Sequence, residues 1–538
     1  MATLRPPYVC LSCRLHAKRI LTPLPLRHAF STSSSRLSSS TSTTTPRPPT
    51  APKQFPDTKH IRENAALYSQ NCLDRNYPDL AQYPYEIQRL SAESRQLQDA
   101  LKEPTRKVKE IQSAVSQLAI SSPKTRTSLT PEQTAEQESQ LSSLRAAALH
   151  LKTESATLTT TRANHIKEID RLALALPNLT SPDTPAGSQP RLLRYINYDP
   201  TTNLPSHTTS HVTIGTSLSL LDFSSAATTS GWGWYYLTNE AALLEQALIQ
   251  YALSVALRRG WQAVSPPSLV YTHIAHACGF QPRDAHNEQQ IYQIEQSERD
   301  VERGRPGRCL TGTAEIPMAA MWAAREMEVQ QFPVKYVGVS RCYRAEAGSR
   351  GVDTKGLYRV HEFSKVELFG WGLADGDGDG STAAASTLFE DILALQSEIL
   401  ASLNLPCRVL EMPAHDLGAS AARKIDIEVL FPSRMPSNHS PVTSATTSEK
   451  DLEEAWGEVT SASICTDYQT RRLGTRIKGA GAGAGKFPHT VNGTAMAVPR
   501  IVAALLEHGW DEKRGVVVLP EVLKGWMGGR GVIGAEKE

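Results

Sequence analysis

The sequence predicts an α+β protein, in which an N-terminal antiparallel coiled-coil arm precedes a region of mixed strands and helices. Three observations support this class: two strand-like segments around a polar loop, two long segments with apolar residues in heptad steps, and a C-terminal region that mixes strand-like and helix-like runs. A chain of 538 residues is too long for one typical hydrophobic core, so we expect two or more domains. Their predicted boundaries are 1–56, 57–180 and 190–538.

The first 56 residues differ from the rest of the chain in charge. They contain eight Lys or Arg residues, no acid before Asp57, and a dense run of Ser and Thr between 31 and 45. This composition is typical of an organelle transit peptide followed by a disordered linker, with a disordered basic tail as the alternative. Without these residues, 49 Lys and Arg remain beside 55 Asp and Glu, a net charge of −6. Nucleic-acid binding would then depend on local basic patches.

The apolar runs and the cysteines exclude two further classes. No apolar run reaches the roughly 18 residues that span a bilayer, so we expect a soluble protein with no membrane association. The eight cysteines are scattered and lack the spacing of a disulfide framework.

Residues 85–176 carry the heptad pattern in two segments, separated by a polar break near 121–131. Apolar residues at steps of three, four and seven predict two helices that pair as an antiparallel coiled-coil hairpin. Pro104 should kink or fray the first helix. The apolar positions are Leu90, Leu97, Leu101, Val108, Ile111, Val115 and Leu118, then Leu141, Leu144, Ala148, Leu151, Leu158 and Ile169.

Residues 337–340 and 366–369 read as strands, and a polar, glycine-containing loop lies between them at 347–357. Alternate residues share a face of a strand. Four side chains can therefore meet on one face: Arg344, Glu346, Phe363 and Glu367. A guanidinium for a phosphate, an aromatic face for a base and a carboxylate for an amine suit a nucleotide. A hairpin with a salt-bridged solvent face is the alternative.

Three other segments of the C-terminal region can be interpreted. Residues 241–258 predict an amphipathic helix that prolines end at 266–267. Residues 318–327 predict a second helix, with the preceding threonines as caps. Small residues at 490–499 predict a loop whose backbone can approach a ligand closely, with Arg500 beside it.

Together these segments resemble the seryl-tRNA synthetases of the bacterial-type and organellar branch. The three short motifs of class II aminoacyl-tRNA synthetases can be placed at 259–267, at Tyr343-Arg344-Ala345-Glu346 and at 492–500. The seryl assignment depends on four longer stretches, at 310–317, 359–367, 416–428 and 458–472, and on the predicted arm. The resemblance covers essentially everything after residue 56.

This resemblance implies a class II catalytic domain at 190–538, built on an antiparallel sheet, and a tRNA-binding coiled-coil arm within 57–180. It implies a homodimer that activates L-serine with ATP and passes serine to its tRNA. With the N-terminal composition, it places the protein in the mitochondrial matrix. The alternative function is a catalytically silent paralogue that binds tRNA or protein. Within the class, the rivals are threonyl, prolyl and glycyl enzymes.

The resemblance also implies roles for single residues. Arg344 would hold the α-phosphate, Glu346 would contact the adenine amine, and Phe363 would stack on the base. Arg500 would close the other side of the nucleotide, and Arg359 would meet the distal phosphates. Of these, Arg344, Glu346 and Arg500 are the implied catalytic residues. The full ATP-binding set is Arg344, Ala345, Glu346, Arg359, Phe363, Glu458, Val459, Thr460, Ser461 and Arg500.

The implied metal ion is Mg²⁺, bound by Glu458 and bridging the phosphates, with Ser461 nearby. In the serine site, Thr313 and Glu315 would surround the ammonium group. The full implied serine-binding set is Thr313, Ala314, Glu315, Glu367 and Thr494. A small pocket that hydrogen-bonds a hydroxyl group rejects alanine, because its own polar groups would be left unpaired.

Three segments depart from the family or imitate other motifs. Residues 230–237 contain Trp232-Gly233-Trp234 where an arginine is usual. Residues 375–380 resemble the start of a calcium-binding loop, but Ser386 stands where glutamate is required, so a disordered acidic turn is favoured. Residues 479–486 resemble a phosphate loop without its Ser or Thr and are interpreted as a flexible linker.

Overall fold

The structure is a computed structural model that describes residues 51–120, 130–200, 207–280, 290–346, 356–374, 383–435, 449–478 and 487–535. Four expectations lie wholly or mainly outside these residues. They concern the transit peptide up to residue 50, most of the polar loop at 347–357, the calcium-like turn and the glycine-rich linker.

The described elements have the following bounds. The helices are α1 (Thr58–Glu63), α2 (Ala65–Asp74), α3 (Tyr83–Ala100), α4 (Lys102–Ile120), α5 (Pro131–Ala175), α6 (His211–Ser217), α7 (Phe223–Ser230), α8 (Asn239–Arg258), α9 (Thr272–Ala277), α10 (Glu298–Glu302), α11 (Glu315–Ala319), α12 (Ala385–Ser402), α13 (Tyr468–Leu473), α14 (Val498–His508) and α15 (Glu521–Lys524). The strands are β1 (Arg191–Ile196), β2 (Leu221–Asp222), β3 (Tyr236–Leu237), β4 (Gln262–Val264), β5 (Leu269–Tyr271), β6 (Gln293–Ile294), β7 (Arg308–Leu310), β8 (Glu326–Met327), β9 (Val334–Tyr343), β10 (Glu362–Gly372), β11 (Cys407–Glu411), β12 (Arg423–Leu430), β13 (Trp456–Thr466), β14 (Arg476–Ile477), β15 (His489–Ala497), β16 (Trp510–Asp511), β17 (Val516–Val518) and β18 (Val532–Ile533).

An eight-stranded sheet forms the centre of the C-terminal region, in the order β1-β11-β12-β13-β15-β10-β9-β4. Its neighbouring strands run antiparallel, except for the parallel pair β4 and β9 at one edge. The register pairs Cys342 with Phe363 and Gly338 with Glu367. The α+β class and the antiparallel pairing of β9 with β10 are therefore confirmed, and the parallel edge pair is an addition to the prediction.

Helices α8, α12 and α14 cover one face of this sheet. Their buried side chains, such as Leu248, Phe389 and Leu505, belong to one core with Val366 and Leu368 of β10. Because alternate residues of a strand point to opposite faces, residues 363, 365 and 367 lie on the other face. The core packing thus decides which face of β10 is left for a ligand.

The helix expected over 318–327 is wrong. Helix α11 already ends at Ala319, a short 3₁₀ turn follows at Ala320–Trp322, and Ala324 adopts a φ of +57°. This left-handed residue prevents helical backbone from resuming before β8. The expected threonine cap is only local: the hydroxyl of Thr313 accepts a hydrogen bond from the Glu315 N–H at 3.3 Å.

The loop expected over 490–499 is also wrong, because most of these residues form strand β15. A Cβ atom on Gly493 would lie 2.4 Å from Cγ2 of Ile392 on α12. The small residue therefore serves the close packing of helix α12 on the sheet. Arg500 follows in the first turn of α14, after Pro499, which is tolerated in that turn.

Helices α3, α4 and α5 form the predicted antiparallel hairpin. The contacts between the two sides of the hairpin show that they run antiparallel, because residue numbers fall along one side as they rise along the other. The pairs are Leu118 with Gln137, Gln98 with Arg162, and Glu93 with His165. The first helix breaks at Leu101, and the buried Pro104 lies in the first turn of α4, which confirms the expected interruption. At its base, the hairpin shares a small core with α1 and α2, formed by Ile61, Cys72, Ile87, Leu90, Ile169, Leu172 and others.

Residues 51–56, which the prediction placed in the transit peptide and linker, pack against the C-terminal region. The N–H of Phe55 donates to the carbonyl of Arg471 at 2.9 Å, and its ring lies 5.7 Å from that of Phe487. A Cβ atom on Gly474 would lie 2.7 Å from the carbonyl oxygen of Lys53. The packed body therefore includes these residues, and the transit peptide itself stays a prediction.

Across the described parts of the chain, no helix combines the length and the apolarity that a membrane crossing requires.

Candidate active site

A cleft opens on the face of the sheet that the helices leave uncovered. Strands β10, β13 and β15, the segment after β9 and the first turn of α14 contribute to its walls. The lining residues are Arg344, Glu346, Tyr358, Arg359, Val360, Phe363, Lys365, Glu458, Val459, Thr460, Ser461, Thr494, Ala497, Pro499 and Arg500. The structure thus brings nine of the ten residues of the implied ATP set together at one cleft.

Two members of that set cannot contribute a side chain to this cleft. Ala345 does not line it, and its N–H donates to the carbonyl of Gln290 at 3.1 Å. Val459 is 1% exposed and packs in the core beneath the sheet. Because its neighbours on β13 face the cleft, only the Val459 backbone is available there.

Arg344 and Phe363 lie together at the end of the β9–β10 pair. The guanidinium carbon of Arg344 lies 5.2 Å from the centre of the Phe363 ring. The Arg344 N–H donates to the carbonyl of His361 at 2.9 Å, which extends the pairing past Tyr343. Glu346 then adopts a φ of +48°, and its carboxylate lies 3.4 Å from Arg359. The predicted grouping of an arginine, an aromatic ring and a carboxylate is present.

Arg500 joins α14 to two other parts of the cleft. Its Nε donates to the carbonyl of Tyr358 at 3.1 Å, and its Nη1 donates to the carbonyl of Glu458 at 2.6 Å. The same nitrogen lies 3.4 Å from the Glu458 carboxylate. Although desolvation opposes it, the cations Lys424, Arg500 and Arg344 hold the pKa of Glu458 near 2. This carboxylate is therefore charged at any physiological pH.

Lys424 and Asp426 of β12 lie behind Glu458 and were not identified from the sequence. Their side chains are 2.7 Å apart. Burial raises the pKa of Asp426 to about 7, the charge of Lys424 opposes the shift, and Glu458 adds to it. Both residues lie in the stretch 416–428 that carries the resemblance. Because they are two residues apart on one strand, the sequence could have shown that their side chains share a face. It could not show which strand would lie beside β12.

Three residues of the implied serine set, Thr313, Glu367 and Thr494, lie around Lys365, and Thr494 also lines the cleft. The Lys365 ammonium donates to the Thr313 hydroxyl at 2.8 Å and lies 2.6 Å from the Glu367 carboxylate. The Thr494 hydroxyl donates to Glu367 at 3.3 Å. Lys365 was missed, although the alternation that selected Phe363 and Glu367 also selects the residue between them. Ala314 is fully buried in a second core cluster, so its side chain does not face this pocket.

Glu315 closes this pocket from α11 and accepts two amide hydrogen bonds. Gln469 donates to it at 2.6 Å and Asn492 at 2.9 Å. Burial, and then the nearby carboxylate of Glu367, raise the pKa of Glu315 to about 7. Two carboxylates that face one Lys365 ammonium give the pocket an affinity for one more cation, such as an amino group.

A buried network holds the segment that leads into the cleft. Nε2 of His211 accepts from the Leu357 N–H at 3.1 Å, so Nδ1 carries the proton that it donates to Glu507 at 2.7 Å. Although burial opposes it, the hydrogen bond from His211 keeps the pKa of Glu507 below its usual value. Glu507 also accepts from the N–H of Ser433 at 3.0 Å. Helix α14, which carries Arg500, is thereby tied to the residues just before Tyr358 and Arg359.

Similarity to known proteins agrees with this arrangement. Residues 292–509 match the family described as the tRNA synthetase class II core domain (G, H, P, S and T). The chain is 40% identical over 370 residues to the mitochondrial serine–tRNA ligase of Saccharomyces cerevisiae, covering 68% of this chain and 74% of that protein. It is 35% identical over 467 residues to the mitochondrial serine–tRNA ligase of Schizosaccharomyces pombe, covering 86% of each.

Two solved structures share the fold. The seryl-tRNA synthetase of Pyrococcus horikoshii, complexed with ATP, superposes with a TM-score of 0.67 at 28% identity, covering 90% of this chain and 100% of that one. The cytoplasmic serine–tRNA ligase of Naegleria fowleri, in complex with AMP, superposes with a TM-score of 0.71 at 21% identity, covering 90% and 99%. With the two yeast relatives, these similarities show that the chain belongs to the serine–tRNA ligase family and is a class II aminoacyl-tRNA synthetase.

Proposed function

We propose that this protein activates L-serine with ATP to seryl-adenylate and transfers serine to tRNA(Ser) for translation in the mitochondrial matrix. The observation that carries the proposal is the junction of two unlike sites in one cleft. Arg344, Phe363 and Arg500 line the cleft and form a nucleotide-type half. The buried carboxylates of Glu315 and Glu367 form an acidic half beside it, and Glu367 contacts two residues of the cleft lining, Lys365 and Thr494. Lys365 lies where the two halves meet.

In the first step, a carboxylate oxygen of serine attacks the α-phosphorus of ATP. A new P–O bond forms, the bond to the bridging oxygen breaks, and pyrophosphate leaves with the electron pair. Positioning and charge stabilisation account for most catalysis of such transfers. Arg344 supplies a guanidinium for the α-phosphate, and Phe363 supplies an aromatic face for adenine. Arg500, held by Tyr358 and Glu458, closes the opposite side of the nucleotide.

Serine is selected in the acidic half of the cleft. Its ammonium group is attracted by Glu315, beside Thr313, and its hydroxyl group meets Glu367 and Thr494. These two are already hydrogen-bonded to each other at 3.3 Å. Alanine would leave buried polar groups without a partner, which such sites penalise strongly. The Lys365 ammonium, 2.6 Å away, holds the Glu367 carboxylate in place.

The residues of the cleft suit Mg²⁺ that arrives with ATP. Mg²⁺ is usually bound by one or two carboxylates together with substrate phosphates and water. Glu458 offers such a carboxylate, charged and 39% exposed, with Ser461 beside it on the same wall. Within the described ranges, no group of three or more His, Cys, Asp or Glu forms a metal site of its own. When bound, the ion would neutralise charge on the phosphates that Arg359 also faces.

In the second step, a ribose hydroxyl at the end of the tRNA attacks the carbonyl carbon of seryl-adenylate, and AMP leaves. The coiled-coil hairpin of α3, α4 and α5 supports this part of the proposal. Among the described elements, the distal helix α4 packs closely on α3 and α5, and the rest of its surface can bind RNA. We infer a homodimer from the family. The names of the two yeast relatives and the acid-free N-terminus support a mitochondrial location.

Serine-dependent exchange of pyrophosphate into ATP tests the activity. The protein should catalyse exchange with serine and not with threonine, proline or glycine. Exchange with one of those amino acids alone would refute the seryl assignment. No exchange by folded protein would favour the silent paralogue. Arg344→Ala should abolish exchange while circular dichroism and the oligomeric state stay unchanged, and import into isolated mitochondria tests the location.

A further inference from the structure

A second cavity adjoins the cleft and has no part in the two halves described above. It encloses about 800 Å³, within the roughly 300–1,000 Å³ of pockets that hold small ligands. Its walls combine aromatic rings with guanidinium groups: Phe223, Trp232, Trp234, Tyr358, Arg359 and Arg434. This is the segment in which the sequence departs from the family, with Trp232-Gly233-Trp234 in place of an arginine.

The backbone of this segment is shaped to present both indoles. Gly233 adopts a φ of +82°, and a Cβ atom there would lie 2.5 Å from the His361 ring. A side chain at 233 is therefore excluded, and the two tryptophans flank His361. The Trp234 ring stacks on it at 5.8 Å with an interplanar angle of 24°, and Trp232 approaches it edge-on at 6.1 Å. Trp232 remains 61% exposed.

The charges of the cavity complement a phosphate backbone. Arg359 reaches it from the cleft side, and Arg434 lies over the Tyr358 ring at 3.7 Å. Exposed aromatic faces beside guanidinium groups are the surface on which unpaired nucleotides bind, because every base has a π-face and every linkage has a charge. A purely apolar ligand would not need the arginines.

The cavity and the cleft share two residues, Tyr358 and Arg359. A single-stranded nucleic acid bound in the cavity can therefore continue directly into the cleft. His361, which the tryptophans contact, also donates from Nδ1 to the carbonyl of Arg344 at 2.9 Å. A ligand bound on the two indole rings would therefore lie close to Arg344, the residue proposed to hold the α-phosphate.

We propose that Trp232 and Trp234 form a stacking platform for the unpaired nucleotides at the 3′ end of the RNA substrate, with Arg434 facing their phosphates. This inference rests on the proposed function, since it assumes that the ligand is a tRNA whose end must enter the cleft. The platform would fix the terminal ribose before transfer. It would have no part in the formation of seryl-adenylate.

The test compares wild-type full-length protein with Trp232→Ala, with Trp232→Phe and with a matched control, Trp526→Ala. Trp526 is 46% exposed and does not line the cavity. Fluorescence anisotropy would measure Kd for an intact tRNA(Ser) transcript and for the same transcript without its last three nucleotides. Serine-dependent ATP–pyrophosphate exchange would be measured in parallel.

Because a base that stacks on one aromatic side chain loses this contact when the ring is removed, Trp232→Ala should weaken binding of the intact transcript about tenfold. Trp232→Phe and Trp526→Ala should stay close to wild type. The shortened transcript should bind equally to all four proteins, and the rate of ATP–pyrophosphate exchange should be unchanged.

Equal binding of the intact transcript by wild type and Trp232→Ala would overturn the proposal. An equal loss of affinity for the shortened transcript in Trp232→Ala would overturn it as well. A raised KM for ATP in Trp232→Ala would show a free-nucleotide site instead. Failure of wild type to exchange with serine would refute the proposed function, and the two binding curves would still report on the platform.

Discussion

The Lys365 ammonium lies 2.6 Å from the Glu367 carboxylate, and the two side chains are only 7% and 3% exposed. The same ammonium donates to Thr313. A single buried cation thus organises both the hydroxyl end and the ammonium end of the proposed serine pocket. Breaking such a pair by removing one partner leaves an uncompensated buried charge.

Lys365→Met should therefore lose both stability and serine binding. The expected destabilisation is about 3–5 kcal/mol, the usual effect of removing one partner of a buried pair. Urea unfolding at a fixed protein concentration would measure it. In exchange assays, KM for serine should rise far more than KM for ATP, because Glu367 lies in the serine half of the cleft.

The double variant Lys365→Met, Glu367→Gln separates the two effects. It has no unpaired carboxylate at 367, so it should recover a large part of the lost stability. It should not recover activity, because neither the ammonium nor the carboxylate is restored. Recovery of exchange by the double variant would contradict the role given to this pair.

Glu315 should make stability depend on pH. Its pKa is raised to about 7 from an ordinary value of 4.5, so the folded state binds the proton more tightly than the unfolded state. The resulting stabilisation is fully present below pH 4.5 and is lost as pH rises through 7. Its size is about 3 kcal/mol, from 1.36 kcal/mol per pKa unit. Glu315→Gln keeps an oxygen that can accept from Gln469 and Asn492 but cannot ionise.

The measurement is the difference in unfolding free energy between wild type and Glu315→Gln, from pH 4.5 to pH 8. Wild type should lose stability relative to the variant across this range, and the loss should level off above pH 8. A difference that does not change with pH would show that Glu315 is ionised throughout.

Removing the distal part of the arm should spare serine activation. The base of the hairpin shares a core with α1 and α2, so deletion of the whole of 85–176 would also remove buried residues such as Leu90 and Ile169. The side chains of Gln98 and Arg162 are hydrogen-bonded at 3.2 Å, so these two positions face each other across the hairpin and a glycine linker can join them in place of residues 99–161. Exchange should be within about twofold of wild type, and aminoacylation of tRNA(Ser) should fall strongly. Equal loss of both activities would contradict a tRNA role for the arm.

His211 should control the ATP half of the cleft through Leu357. In His211→Ala, the Leu357 N–H loses its acceptor and Glu507 loses a donor. Unsatisfied buried groups cost about 1–3 kcal/mol each, so unfolding should shift measurably, and KM for ATP should rise more than KM for serine. Gly356→Ala provides a second route to the same defect, since its Cβ would lie 2.1 Å from Nε2 of His211 at a φ of +66°. An equal rise in both KM values would exclude this positioning role.

The parts of the fold and site that depend on local periodicity could be predicted from the sequence. Alternation along β9 and β10 correctly grouped Arg344, Phe363 and Glu367, and heptad steps correctly gave the arm. Contacts between distant segments could not be predicted in this way. Gln469 and Glu315 are 154 residues apart and meet only because α13 and α11 pack together.

The two wrong elements have a common physical cause. Small and apolar residues at 318–327 and 490–499 suit a helix or a loop when considered alone. The left-handed Ala324 lies between the end of one helix and β8, and the other segment pairs as a strand with β10 and β13, with Gly493 packed close to Ile392. In both places tertiary packing overrides local preference, which a single sequence does not reveal.

The packing of Phe55 has a consequence for the order of folding. The Arg471 guanidinium donates to the Phe55 carbonyl across a separation of 416 residues. Contacts between residues so far apart are the slowest to form, because the intervening chain must be closed into a loop first. The stretch at 51–56 therefore docks only after the region around Arg471 and Phe487 has emerged and folded. Protease sensitivity near Phe55 would then report that the whole synthetase body is complete, and a chain stalled before Arg471 would be cut there.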